Sequence, residues 1–304
     1  MNSLGMRERE LGEKGTHQVR ILVLGDSFTF GTGVEAEDVY PRQIETTLHD
    51  ARHANVVVIN AGVPGYGTLQ ETLWFERLVD VVKPDPVLLG FFLGNDFLAN
   101  SHLIEWAVID GYLVNKTDNG SRLFLTQKLG IPPEIKIALH TRSHLYTALM
   151  NAWSTIVVNA GLATKMEEFE IYHSRPSPMA ERAIAATKVV LDRLASDCNK
   201  RHLPLAIVSI PDRWTEDKLN GESEYDINRA ADVLRGLVQE ESVLFLDLGQ
   251  ALRGNGEYYY PVDGHLTRVG HQVVGTAIAR SLLDGDLQPL LRRDVSQATH
   301  QRRH

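Results

Sequence analysis

RILVLGDSFTFGTG, residues 20–33, carries a near-continuous apolar run into Gly-Asp-Ser and then into a bend rich in glycine. A Val/Ile/Leu run without polar alternation is the pattern of a strand covered on both faces. Four more runs of the same kind follow: NVVVINAG (55–62), PVLLGFFLG (86–94), LPLAIVSI (203–210) and SVLFLDL (242–248). Between most of them lie segments of helical period, YPRQIETTLHDA, LQETLWFERLVDVV, AERAIAATKVVLDRLASDCNKR and EYDINRAADVLRGLVQEE. Strands alternating with helices predict parallel crossovers. The expected fold is therefore α/β, a doubly wound three-layer α/β/α sandwich around a five-stranded, mainly parallel sheet. In such a sheet the ligand site lies outside the carboxyl ends of the strands.

Residues 97–180 break the rhythm. They read as a helical insertion folded over the active edge, with HLYTALMNAWSTIVVNAG as its clearest helix, and a lid there would set substrate preference. Residues 1–18 read as a lead-in, 19–285 as the main domain and 286–304 as a basic, frayed tail. The chain has 304 residues, 31 Lys plus Arg against 39 Asp plus Glu, and a net charge of −8, which argues against a nucleic-acid partner. The single cysteine, Cys198, falls in the stripe Ala183, Ile184, Thr187, Leu191, Leu194, so it reads as a core residue. No run reaches the ~18 to 20 apolar residues of a membrane span. The chain accordingly reads as soluble, with no transmembrane segment. Its polar start predicts a cytoplasmic protein or one whose targeting segment lies upstream.

GDSFTFGTG lacks the Gly-Lys-Ser/Thr ending of a phosphate loop, GTGVEA lacks the third glycine of a dinucleotide fingerprint, and neither contains Gly-x-Ser-x-Gly. Read in isolation, Ser27 is as well explained by capping the helix that follows. Three other places add weight at the same sheet edge. NAGVPGYGT (60–68) packs three glycines and a proline after the second strand, which lets backbone N–H groups approach a ligand. GFFLGNDF (90–97) puts Asn95 and Asp96 after the third, and YYYPVDGHLTRVGHQVVGTAIARSLL (258–283) puts Asp263 and His265 just before an amphipathic helix.

Gly-Asp-Ser, a glycine loop, Gly-x-Asn-Asp and an Asp-His pair, collinear over residues 19–283, resemble the SGNH hydrolase or GDSL esterase/lipase superfamily, whose sandwich is flavodoxin-like. The resemblance implies a serine esterase or acylhydrolase acting on short- or medium-chain esters, O-acetylated carbohydrate among them, with no cofactor and no metal. Ser27 would be the nucleophile, His265 the general base and Asp263 its orienting group, the arrangement that makes a neutral hydroxyl reactive. The oxyanion hole would be the backbone N–H groups of Ser27 and Gly65 and the side-chain amide of Asn95. Gly62 would then make the tight turn, with Gly67 a third candidate. The sequence departs from the family in one respect: one residue, Gly264, separates Asp263 from His265 where Asp-x-x-His is usual. Asp247, ending the fifth strand, is the alternative orienter, set against a turn-capping role.

Other residues read more plainly. Asp26 reads as a loop-bonding structural residue. His271 lies six positions after His265, on another helix face, which argues against a shared metal. His140, His144 and His173 read as solvated. Tyr258, Tyr259 and Tyr260 line a substrate pocket or pack beneath the catalytic loop, and Arg213 and Trp214 in SIPDRW are candidates for substrate contact. Two rival functions remain. One is an O-acyltransferase that passes the same acyl group to an envelope polysaccharide, and the lead-in NSLGMRERE resembles that of larger bacterial envelope proteins. The other is a non-catalytic α/β ligand-binding module.

Overall fold

The computed structural model describes residues 1–100, 106–109, 112–115, 139, 143, 145–146, 170–213, 219, 224–239, 243–261 and 263–291. Strands β1 (Val19–Gly25), β2 (Val56–Asn60) and β3 (Val87–Phe92) fall within the apolar runs read from the sequence. They are joined by helices α1 (Ser27–Phe30), α2 (Tyr40–Asp50) and α3 (Thr68–Val82), and α4 (Asp96–Asn100) follows β3. A short antiparallel hairpin of β4 (Trp106–Ile109) and β5 (Tyr112–Asn115) comes next. The chain then runs through α5 (Pro178–Lys200), β6 (Leu205–Ile210), α6 (Arg229–Gln239), β7 (Leu244–Asp247), α7 (Gly249–Leu252) and α8 (Arg268–Asp284).

Five strands form one parallel sheet in the order β2-β1-β3-β6-β7. Alternate residues of β1 serve opposite layers, because successive side chains of a strand point to opposite faces. Val19, Ile21 and Val23 join one core with Tyr40, Ile44 and Leu48 of α2 and Val274 and Ile278 of α8. Leu22 and Leu24, fully buried, turn to the other face, where α3 packs against β1 and α5 against α3. This is the predicted three-layer α/β/α sandwich. Cys198 is buried in α5 among Leu191, Leu194 and Ala195, and burial pushes its thiol up to about 12, consistent with a packing role.

The chain divides into two compact units, residues 1–101 with 171–304, and residues 102–170. The second lies inside the segment read as an insertion, and its described residues include the β4–β5 hairpin. The helix read over HLYTALMNAWSTIVVNAG and a lid role for 97–180 lie outside the described residues, as do His140, His144 and Trp214. No helix among the described residues is long and apolar enough to cross a membrane.

Both ends of the first unit pack more than their composition suggests. Leu287 and Leu290 are buried, because a 3-10 turn at Gln288–Leu290 folds them onto the α2–α8 core, so the stretch read as a frayed tail begins as packed chain. In the lead-in, Met6 is buried, and the Glu8 side chain, only 2% exposed, pairs with Arg42 and accepts the Asn60 main-chain N–H.

Candidate active site

Strand order brings the loops after β2, β1 and β3 to one edge as neighbours. β1 ends at Gly25, and Asp26 then caps α1, its Oδ1 accepting the Phe28 N–H at 2.8 Å. Ser27 is the first residue of that helix. Its turn is held from both sides: the Val63 N–H of the glycine loop donates to Gly25 O at 2.9 Å, and Thr29 shares a hydrogen bond with the Tyr40 hydroxyl at 2.7 Å.

The loop before α8 brings its histidine to the same place. Tyr259 bridges to Leu266, and the Tyr260 N–H donates to His265 O at 2.8 Å, which closes the loop on itself. Gly264 adopts φ +75°, a left-handed conformation that a residue with a Cβ rarely takes. That turn lets Asp263 and His265 share one side despite the single residue between them. His265 Nε2 lies 2.8 Å from Ser27 Oγ. The Phe28 ring lies 5.1 Å from the imidazole and stacks on Phe92 at 3.9 Å.

Asp263 meets His265 in two ways. Its Oδ1 accepts the His265 main-chain N–H at 3.1 Å, and its Oδ2 lies 3.6 Å from His265 Nδ1, too long for a hydrogen bond. The Asp263 side chain is 53% exposed. Asp247 is occupied elsewhere: its Oδ1 accepts the Ser209 hydroxyl at 2.8 Å and the Gly249 N–H at 2.9 Å, and Arg235 lies 3.5 Å from its Oδ2. Asp247 thus has the turn-capping position, away from the imidazole.

Gly65 lies in the glycine loop with φ +78°, and Asn95 follows β3. Among the described residues Asn95 Oδ1 is buried without a hydrogen-bond partner, and its amide nitrogen makes no hydrogen bond. At Gly62 a Cβ would stand 2.3 Å from Phe30 N, so only glycine lets this loop lie against the Ser27 turn. Gly67 precedes α3 as its N-cap.

Beneath the site lies a group of carboxyls. Asp26, Glu71 and Asp96 are all essentially inaccessible. Burial, reinforced for Glu71 and Asp96 by the other carboxyls, raises all three above the usual carboxylate range, Asp26 to about 7. Among the described residues both Glu71 oxygens lack a hydrogen-bond partner, as do Asp26 Oδ2 and Asp96 Oδ1. Glu71 was missed as a candidate, although its place on the stripe Thr68, Thr72, Phe75, Val79 marks it as inward-facing. His271 is also buried, which holds it neutral with a pKa of about 3, and its Nδ1 accepts the Tyr40 N–H at 3.2 Å. The tyrosines divide their roles: Tyr259 is buried with its hydroxyl on Pro211 O, and Tyr260 donates to Gly33 O. The His173 ring lies tilted against Tyr225 with centroids 4.8 Å apart, and its Nε2 is 3.6 Å from Glu224.

One solved structure supports the fold independently. The crystal structure of TesA superimposes with a TM-score of 0.51 at 14% identity, over 90% of this chain and 99% of that one. An acetyl xylan esterase, AlAXEase, aligns with a TM-score of 0.49 at 16% identity over 87% and 100% of the two chains. A lipase/acylhydrolase from Enterococcus faecalis gives 0.47 at 17% identity over 87% and 95%. No curated protein matches the chain. The model of the GDSL-like lipase/acylhydrolase family, however, matches residues 23–273, from within β1 to within α8, and with it the chain belongs to that family.

Proposed function

We propose that this protein is a serine esterase that cleaves short- or medium-chain carboxylic esters through an acyl-enzyme, with residues 19–285 as its catalytic domain. The observation that carries the reading is the 2.8 Å approach of His265 Nε2 to Ser27 Oγ, between residues 238 positions apart in the chain. A packing accident has no need of an imidazole at hydrogen-bond distance from a hydroxyl at the carboxyl edge of the sheet, whereas general-base activation requires it.

In this mechanism His265 Nε2 takes the Ser27 proton as Oγ attacks the ester carbonyl. The tetrahedral oxyanion is held by the N–H groups of Ser27 and Gly65 and by Asn95 Nδ2, neutral donors that develop their full strength only as charge appears on the oxygen. His265 then returns the proton to the leaving alcohol, and a water molecule activated by the same nitrogen releases the acid. Asp263 steadies the imidazole through the His265 main chain and through its charge at 3.6 Å from Nδ1. Because Asp263 is half in water, its electrostatic share is weakened by screening.

The test is Ser27→Ala. It should fold with an unchanged melting temperature, lose labelling by a fluorophosphonate probe, and hydrolyse p-nitrophenyl acetate at least about 10³-fold more slowly. Wild-type turnover in the variant removes Ser27 from the reaction. A panel of acyl lengths and O-acetylated sugars assayed with the wild type assigns the substrate class.

A further inference from the structure

The carboxyl ends of β3, β6 and β7 enclose a cavity of about 470 Å³, within the usual size range of small-molecule sites. Neither Ser27 nor His265 is among its lining residues, and it connects to them through their neighbours. On one side Leu93 follows Phe92, whose ring stacks on Phe28; on the other Tyr259 bridges to Leu266, the neighbour of His265. Two arginines line it. Arg213 Nε and Nη1 are buried, yet neither donates a hydrogen bond. Arg253 lays its guanidinium over Gly249 and forms no ion pair among the described residues.

The carboxylates nearby are already committed. Asp247 takes the Ser209 hydroxyl, the Gly249 N–H and the charge of Arg235, and Asp212 is engaged with a partner of its own. Buried donors almost always have acceptors, and an arginine cannot escape by releasing its proton. With Arg213 Nε and Nη1 unmet and a second arginine, Arg253, lining the same cavity, these donors call for an acceptor from outside the chain. The acceptor that suits a guanidinium best is a carboxylate, whose oxygens match its donor geometry.

Given the esterase reading, on which this inference rests, we propose that the cavity is a substrate subsite where Arg213 and Arg253 bind a carboxylate, so that the preferred esters are those of acidic molecules. The charge sits on the alcohol or on the acyl portion, and paired substrates distinguish the two. 4-Acetoxybenzoate is compared with its methyl ester, and p-nitrophenyl hemiglutarate with p-nitrophenyl valerate. The wild type should favour the charged member of one pair by roughly tenfold or more in kcat/KM, the scale of a charge-assisted hydrogen bond. In Arg213→Gln and Arg253→Gln that ratio should fall towards one, and Arg213→Lys should restore part of it. The ratio is taken within each variant, so a general loss of activity cancels, and thermal melts show whether each variant folds.

A wild-type ratio near or below one for both pairs, as a cavity that holds only water would give, overturns the proposal. So does a preference that survives both glutamine substitutions. Should the wild type hydrolyse no ester of either kind, the esterase reading fails, and the subsite is then judged by calorimetry with 4-acetamidobenzoate. Binding that Arg213→Gln abolishes supports the subsite, and no binding overturns it.

Discussion

Asp263 and Asp247 are both aspartates beside the sheet edge, and their neighbours set them apart. Asp263 lies within 3.6 Å of the imidazole, while both Asp247 oxygens face Ser209, Gly249 and Arg235. Asp263→Asn keeps an oxygen to accept the His265 main-chain N–H and removes the charge alone. It should lower kcat about 10²-fold with KM little moved, the low end of what general acid–base devices contribute because the carboxylate is half exposed. Asp247→Asn should act chiefly on stability, with a lower melting temperature, since it disturbs the bonds that hold the end of β7. Steady-state kinetics and thermal melts on the two variants check this, and equal losses of kcat would remove Asp263 from the orienting role. Of the atoms that decide between them, the sequence shows the residue types and the one-residue spacing. It does not show Gly264 at φ +75°, which makes that spacing workable.

At the scale of an element, the lead-in behaves as part of the sandwich. Arg7 donates to Phe30 O and Gly31 O at the end of α1 and to Val34 O in the loop beyond it, and its guanidinium lies 5.1 Å over the Phe30 ring. Two residues on, Arg9 pairs with Glu45 of α2, and Glu45 also accepts the Val58 N–H. Burial acts to raise the Glu45 carboxyl, but Arg9, that N–H and Arg42 outweigh it and hold the group below its ordinary value. One short segment thus ties the Ser27 turn to α2 and β2. Arg7→Ala should cost about 1–3 kcal/mol, as the loss of charged hydrogen bonds does, and reduce kcat/KM for p-nitrophenyl acetate severalfold by loosening α1. A melting curve and one substrate titration suffice, and wild-type values in both would leave the lead-in as a passive cover. In the sequence this stretch is a run of alternating charge, which ordinarily means a solvated face. Nothing local tells Glu8 from a surface glutamate, because its partners, Arg42 and Asn60, are more than thirty residues away.

For the whole molecule, the buried groups predict how stability follows pH. Asp26 is raised to about 7 from an ordinary 3.8, and Glu71 and Asp96 are raised as well, so between those pH values the folded state keeps protons that the unfolded chain releases. For Asp26 this contribution is fully present below about pH 4 and is lost as pH climbs through about 7, and the contributions of Glu71 and Asp96 change in the same direction. His271 works the other way: neutral in the fold with a pKa near 3 against 6.5, it costs stability as pH falls below about 6.5. Asp26→Asn, which retains the cap on Phe28, should be less sensitive than the wild type to a rise from pH 4.5 to 7.5 in urea unfolding. A difference between the two proteins that is constant with pH would show that Asp26 does not hold its proton. The alternation of apolar strands and amphipathic helices sufficed to read the three-layer sandwich, because burial on both faces leaves a periodic trace in every segment. Ser27, Asn95, Asp263 and His265 could be named for a similar reason, since each sits in a short motif, the first two after a strand and the last two before a helix. Three things left no such trace: the 2.8 Å meeting of Ser27 with His265, the proton-holding carboxyls under it, and the unmet donors of Arg213. A hydrogen bond, a desolvated charge and a cavity are properties of what surrounds a residue, and those surroundings exist only once distant strands have paired and closed water out.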